Sequence, residues 1–154
     1  MLCSDVMRME VDALPPDATA EEAARKMREE LVGFLVVCGP NARVLGVLTD
    51  RDVALRVCAA GLPSTTPVSE LMTREIVSCR PEEPLTRAED QMIARQKSRV
   101  VVMDEDGTLH GVISLTDVAH FEEPLRAARV LREITAREFR SVPRSRRSLL
   151  PAPL

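Results

Sequence analysis

The strongest constraint on this chain is that it repeats itself. Shifted by 65 residues (Met7 onto Met72), the two halves of the 154-residue sequence align without a gap. Ser4, Met7 and Glu10 fall on Ser69, Met72 and Glu75, while Pro16 falls on Pro81, Ala23 on Ala88 and Met27 on Met92. Val36-Val37 meets Val101-Val102, and Gly46-Val47 meets Gly111-Val112. The register ends on a hook, GVLTDRDVA from Gly46 and GVISLTDVA from Gly111, in which a hydroxyl is followed three residues later by an aspartate. A unit of about 55 residues is marginal alone, but two related units can cover each other's sheets.

Each unit predicts the same order of elements. In the first, Thr19 and Glu22 have the spacing of a capping box, and Ala20, Ala23, Ala24, Met27 and Leu31 follow at one-face helical spacing. Phe34 to Cys38 is a β-rich run, Gly39-Pro40-Asn41 a turn, and Val44 to Leu48 a second run. Asp50 to Ala60 then reads as a helix, stopped by Gly61. The second unit gives a helix from Leu85 to Gln96, strands from Arg99 to Met103 and Leu109 to Ile113, and a turn at Asp104 to Gly107. Each unit therefore reads as short strand, helix, strand, hairpin, strand, helix, with the Pro-rich 62–67 stretch as linker.

Composition narrows the function. Hydrophobic residues make up 45% and charged residues 29%, the balance of a soluble globular chain. The net charge of −3 speaks against a body built for nucleic acid. No apolar run reaches the roughly 20 residues of a membrane span, and the start of the chain lacks a secretory signal, so a cytoplasmic location is expected. Cys3, Cys38, Cys58 and Cys79 are spaced too widely for a local metal knuckle and read as thiols in a reducing compartment. No catalytic triad, P-loop, Rossmann fingerprint or metal cluster is present, so no catalytic residue is assigned and an enzyme is not expected.

Two readings of the hook are open. Thr49 or Ser114 is well suited to cap the helix that follows. Alternatively the hydroxyl and Asp52 or Asp117 point into a cleft, where a carboxylate can accept from both hydroxyls of a ribose and a helix start favours a phosphate. Such charge-assisted bonds contribute roughly 1.5–3 kcal/mol each.

The tandem order, the two hooks and the stretch VVVMDEDGTLHGVIS from Val100 together resemble a pair of cystathionine β-synthase (CBS) domains, a regulatory module of many enzymes, channels and transporters. The resemblance spans Ser4 to Phe121. It implies an α/β (α+β) fold of tandem β-α-β-β-α repeats packed as a CBS-domain pair, with an extra C-terminal helix. The units are then 1–61 and 68–123, joined by 62–67, with the helix at 124–139 and a flexible basic tail at 140–154. It also places the ribose of an adenosine ligand on Thr49 with Asp52 and on Ser114 with Asp117. Further cleft walls come from Ala13, Gly33, Phe34 and Leu35 in the first unit, and from Ser78, Lys97, Ser98, Arg99 and Val100 in the second. Lys97 and Arg99 either take a phosphate or form a solvated helix end, and Phe34 either stacks on a base or fills the core. Since the first unit has Val32, Gly33 and Phe34 where the second has Lys97, Ser98 and Arg99, the second site is expected to prefer a charged nucleotide. Val36-Val37 and Val101-Val102 depart from the Pro-Val common at this strand in the family.

The implied ligand is AMP, ADP or ATP, with S-adenosylmethionine, NAD or a cyclic dinucleotide as alternatives. The implied assembly is a flat homodimer that signals to an effector protein, with no covalent cofactor and no membrane contact. Two rival readings stand beside it: a scaffold protein with empty clefts, and a nucleic-acid-associated protein acting through Arg140, Arg144, Arg146 and Arg147.

Overall fold

Two three-stranded sheets packed face to face, with helices on their outer faces, make up the computed structural model, which describes residues 1–141. The fold is mixed α+β. In chain order the elements are α1 (Cys3–Val6), β1 (Ala13–Leu14), α2 (Ala20–Glu29), β2 (Phe34–Cys38), β3 (Val44–Thr49), α3 (Asp50–Val53), α4 (Val68–Leu71), β4 (Ser78–Cys79), α5 (Leu85–Arg95), β5 (Arg99–Met103), β6 (Leu109–Ser114), α6 (Leu115–Phe121) and α7 (Pro124–Ser141). In each sheet the short leading strand runs parallel to the second, and the second pairs antiparallel with the third. The capping box at Thr19 and Glu22 forms, with the Thr19 hydroxyl accepting from the Glu22 amide at 3.2 Å.

Three apolar clusters hold these layers. Leu35, Leu48, Val37 and Leu71 anchor the core beneath α2, and Leu85, Met92, Val100 and Ile113 anchor the one beneath α5. Val36, Val44 and Val101 seal the two sheets together. Full burial of side chains of this size stabilises by roughly 1.5–3 kcal/mol each, so the alternation along β2 and β5 pins register as well as position.

The structure differs from the sequence reading at three places. The helix expected over Asp50 to Ala60 is a single α turn followed by a π-helical segment, Ala54–Cys58; Gly61 follows in the left-handed region at φ 68°. Helices α1 and α4 have no counterpart in the sequence reading. The short leading strands, expected without bounds, are two-residue strands at Ala13–Leu14 and Ser78–Cys79. Finally, α7 continues through Arg140 and Ser141, and the rest of the expected basic tail lies outside the described residues.

The leading helices also cross over. Cys3 and Val6 of α1 pack into the core of the second unit, whereas Val68, Leu71 and Met72 pack into that of the first. The chain then adds a bridge to the other unit's third strand: Arg8 pairs with Val112, and Thr73 pairs with Val47. The hook glycines explain themselves here. A Cβ on Gly111 would lie 2.7 Å from the Arg8 carbonyl oxygen, and one on Gly46 would lie 2.9 Å from that of Thr73.

Candidate functional site

Both hooks close as reciprocal caps. The Thr49 hydroxyl accepts from the Asp52 amide at 3.1 Å, while Asp52 Oδ2 accepts from the Thr49 amide at 2.9 Å and its hydroxyl at 2.8 Å. Ser114 and Asp117 repeat the arrangement, with the Asp117 amide 3.2 Å from Ser114 Oγ and the Ser114 amide 2.8 Å from Asp117 Oδ2. The capping role of these residues is therefore realised at both sites.

Each aspartate has a second oxygen, and in both cases an arginine holds it. Arg56 Nη2 lies 2.9 Å from Asp52 Oδ1 and donates to the Thr73 hydroxyl at 3.0 Å; Nη1 donates to the Leu71 carbonyl. Arg8 Nε lies 2.9 Å from Asp117 Oδ1. These arginines are not repeat partners, since position 56 matches Phe121 and position 8 matches Thr73. The same ion pair is thus built twice from unrelated positions, and each time it ties a hook to the other unit's leading segment. The two differ in access: the Asp52 side chain is 18% exposed and that of Asp117 7%. Burial works to raise the Asp117 carboxyl, but bonds from Ser114 and the Arg8 guanidinium outweigh it and hold the group below its ordinary range.

A cleft of about 460 Å³ opens at the first hook. Thr49, Asp52, Gly33 and Phe34 of the first unit form one wall, and Val77, Lys97, Ser98 and Arg99 of the second form the opposite one. Face-to-face sheets bring the end of one unit's α5 opposite the other unit's hook, so Lys97, expected beside Ser114 and Asp117, borders the Thr49–Asp52 cleft, whereas Arg99 borders the spaces at both hooks. The Arg99 guanidinium lies over the Phe34 ring, 5.5 Å from its centroid, so Phe34 is a cleft wall stacked on a cation and also contacts the inter-sheet cluster. Gly33 has a local reason to be small, as a Cβ there would come within 2.8 Å of an Asp50 carboxylate oxygen.

The second hook faces a different space. Ser114, Leu115, Thr116 and Ala119 border a groove of about 480 Å³ whose other side is Ala127, Ala128 and Leu131 of α7, with Ser98 and Arg99 at one end. The first unit has no helix equivalent to α7.

Other expected site residues lie elsewhere. Leu35 and Val100 are fully buried, with side chains in the cores under α2 and α5, which leaves only their main chain for a ligand. Ala13 is exposed and Ser78 half-buried, on the leading strands, and neither borders the two cavities described. Sequence reasoning missed Arg8 and Arg56, and also Asp50, Arg51, Leu55, Thr73 and Glu75 of the first cleft's lining. Arg56 carried a signal, being four residues after Asp52 on a helix. Arg8 carried none, because its partner is 109 residues away.

Comparison with known proteins follows the same lines. The family model described as "CBS domain" matches residues 3–58 and again 68–123. The CBS domain-containing protein YhcV of Bacillus subtilis is 38% identical over 115 residues, covering 75% of this chain and 81% of that protein. The solved CBS domain pair of protein MJ0100, in complex with 5′-methylthioadenosine and S-adenosyl-L-methionine, superposes with a TM-score of 0.70 at 19% identity, covering 78% of this chain and 94% of that one. The cytosolic domain of the Mg2+ channel MgtE, in complex with ATP, gives 0.66 at 24% identity, covering 76% of this chain and 47% of that one. At these identities the two structures establish the fold alone.

Proposed function

We propose, from the premise that this chain belongs to the CBS domain family, that its first cleft binds a phosphate-bearing adenosine nucleotide, AMP, ADP or ATP, and passes that occupancy to a partner protein. Tandem CBS domains are ligand-binding regulatory modules, not catalytic ones. One observation carries the choice of ligand: the Thr49–Asp52 hook stands across the cleft from Lys97, Ser98 and Arg99. Asp52 suits a ribose diol, the Phe34–Arg99 stack offers a flat surface to a base, and Lys97 with Arg99 suits phosphate. The MJ0100 CBS domain pair is solved with 5′-methylthioadenosine and S-adenosyl-L-methionine, and the MgtE cytosolic domain with ATP, which supports the reading. A ligand touching both units biases their relative placement, and a partner that reads that placement responds. Pairing of two chains through their helices and a cytoplasmic location complete the proposal. No helix among the described residues is long and apolar enough to cross a membrane.

The test is a thermal-shift panel of the ligand-stripped protein with adenosine, AMP, ADP, ATP and S-adenosylmethionine. At 100 times its dissociation constant a ligand stabilises by about 2.7 kcal/mol, a rise of about 5–10 °C for a chain of this size. Lys97→Ala with Arg99→Ala is expected to abolish the preference for phosphorylated compounds over adenosine.

A second reading has its own observation. Both hooks are fully satisfied as caps without a ligand, as a scaffold requires. It predicts no shift with any compound, and a partner interaction unaffected by all of them.

A further inference from the structure

We infer that the duplicated hooks are not duplicated sites: the chain takes one nucleotide, at Asp52, and Arg8 has converted the second hook into a structural joint between the units. The inference rests on the nucleotide reading above and narrows it to one cleft.

Three observations carry it. The first is the fate of the two carboxylates. Asp117 is only 5% exposed, its Oδ1 held by Arg8 from the other unit's leading segment and its Oδ2 by Ser114. Taking Asp117 for a ribose would break a bond between units at the place where Arg8 and Val112 also exchange backbone hydrogen bonds at 3.0 and 3.1 Å. Asp52 is more open, and its arginine comes from the helix segment just after the hook. If Arg56 yields Asp52, it keeps Leu71 and Thr73 as partners and stays in the cleft's lining.

The second is charge. The cations that face the first hook, Lys97 and Arg99, are Val32 and Phe34 at the equivalent places of the first unit, while Val77 of the first cleft is matched by Asp12. Asp12 is itself paired with Lys26 at 3.1 Å. The first cleft sets Arg51, Arg56, Lys97 and Arg99 against Asp50, Asp52 and Glu75, whereas the second hook's groove has Arg99 as its one charged lining residue among the described residues, with Arg8 held by Asp117.

The third is α7. It flanks the second hook with Ala127, Ala128 and Leu131, residues that offer no side-chain polar group. Val130 and Ile134 of the same helix are buried in the second core, which fixes it there. The two sites therefore differ in Lys97, Arg51 and Arg56, which line only the first, and in the buried carboxylate and α7 of the second.

Isothermal titration of the full chain with ATP, and separately with AMP, decides the matter. The expected result is a stoichiometry of one per chain, with saturable binding lost in Asp52→Asn although Asp117 is intact. Melting of the variant alongside the wild type establishes that it is folded, and the wild-type stoichiometry stands without any variant. Two equivalents per chain, or binding that persists at one equivalent in Asp52→Asn, would overturn the single-site inference and leave the nucleotide reading in place. No saturable binding of either nucleotide to the wild type would overturn both.

Discussion

At the scale of single residues, the hook aspartates show how one motif serves two ends. An aspartate three residues after a hydroxyl caps a helix and keeps one oxygen for something else. What takes that oxygen is decided by residues outside the motif, Arg56 in one unit and Arg8 in the other. The Arg8–Asp117 pair has a pH signature. The Asp117 carboxyl lies below its ordinary value in the folded protein, so it contributes stability that is present above the unfolded value, about 3.9, and is lost as pH falls through the folded one. Asp117→Asn is therefore expected to lower stability at pH 7 by about 1–3 kcal/mol. In urea unfolding from pH 7 to pH 3 the gap to the wild type closes below about pH 4. A gap of constant size across that range would contradict the pairing.

At the scale of elements, α7 is the addition that the repeat does not explain. It packs on α5 and α6 and covers Glu89, which is 1% exposed and bonded to Arg126 at 2.6 Å, with its other oxygen unpaired. The matching residue on α2 is the exposed Ala24, where no such helix lies. Burial pushes the Glu89 carboxyl up despite Arg126, so its contribution has the opposite sign to that of Asp117 and is lost as pH rises through its folded value. Arg126→Ala leaves Glu89 buried without its cation. With Arg126 itself half exposed, the expected cost is about 1–3 kcal/mol, read as faster amide exchange in α7 relative to α5. Unchanged exchange in α7 would show that Val130 and Ile134 hold the helix unaided.

Elements were also where the sequence was most legible. β2 and β5 were read at the bounds the structure shows, because a run such as Phe34 to Cys38 has both composition and length against a helix. α1 and α4 were not legible: four residues show no period, and what stabilises them is a core belonging to the other repeat. The same crossing hid half of the site. Thr49 and Asp52 could be singled out by local pattern and Lys97 by the family resemblance, but neither says that Lys97 faces Thr49 and not Ser114. That follows only once the sheets are packed.

On the scale of the whole molecule, the halves are joined by a set of matched exchanges. Leu2 bridges Pro84 as Pro67 bridges Thr19, and Arg8 bridges Val112 as Thr73 bridges Val47. The bridge between Arg43 and Thr108 joins two matched positions and so lies where the halves meet. A pair built this way has two hooks, and its asymmetry lies in side chains and in α7. The equivalents of Lys97 and Arg99 are Val32 and Phe34, and the arginine on the hook aspartate comes from the following helical segment in one unit and from the other unit's leading segment in the other. Of the two cavities described, the one at Thr49 and Asp52 touches both units, as the proposed binding of a nucleotide between them requires.

A crystal structure of the protein grown with ATP tests the single site at Asp52. The expected structure holds one nucleotide per chain, with its ribose on Asp52, its base beside Phe34 and its phosphates toward Lys97 and Arg99. A nucleotide seated on Ser114 and Asp117, with Arg8 displaced, would contradict it.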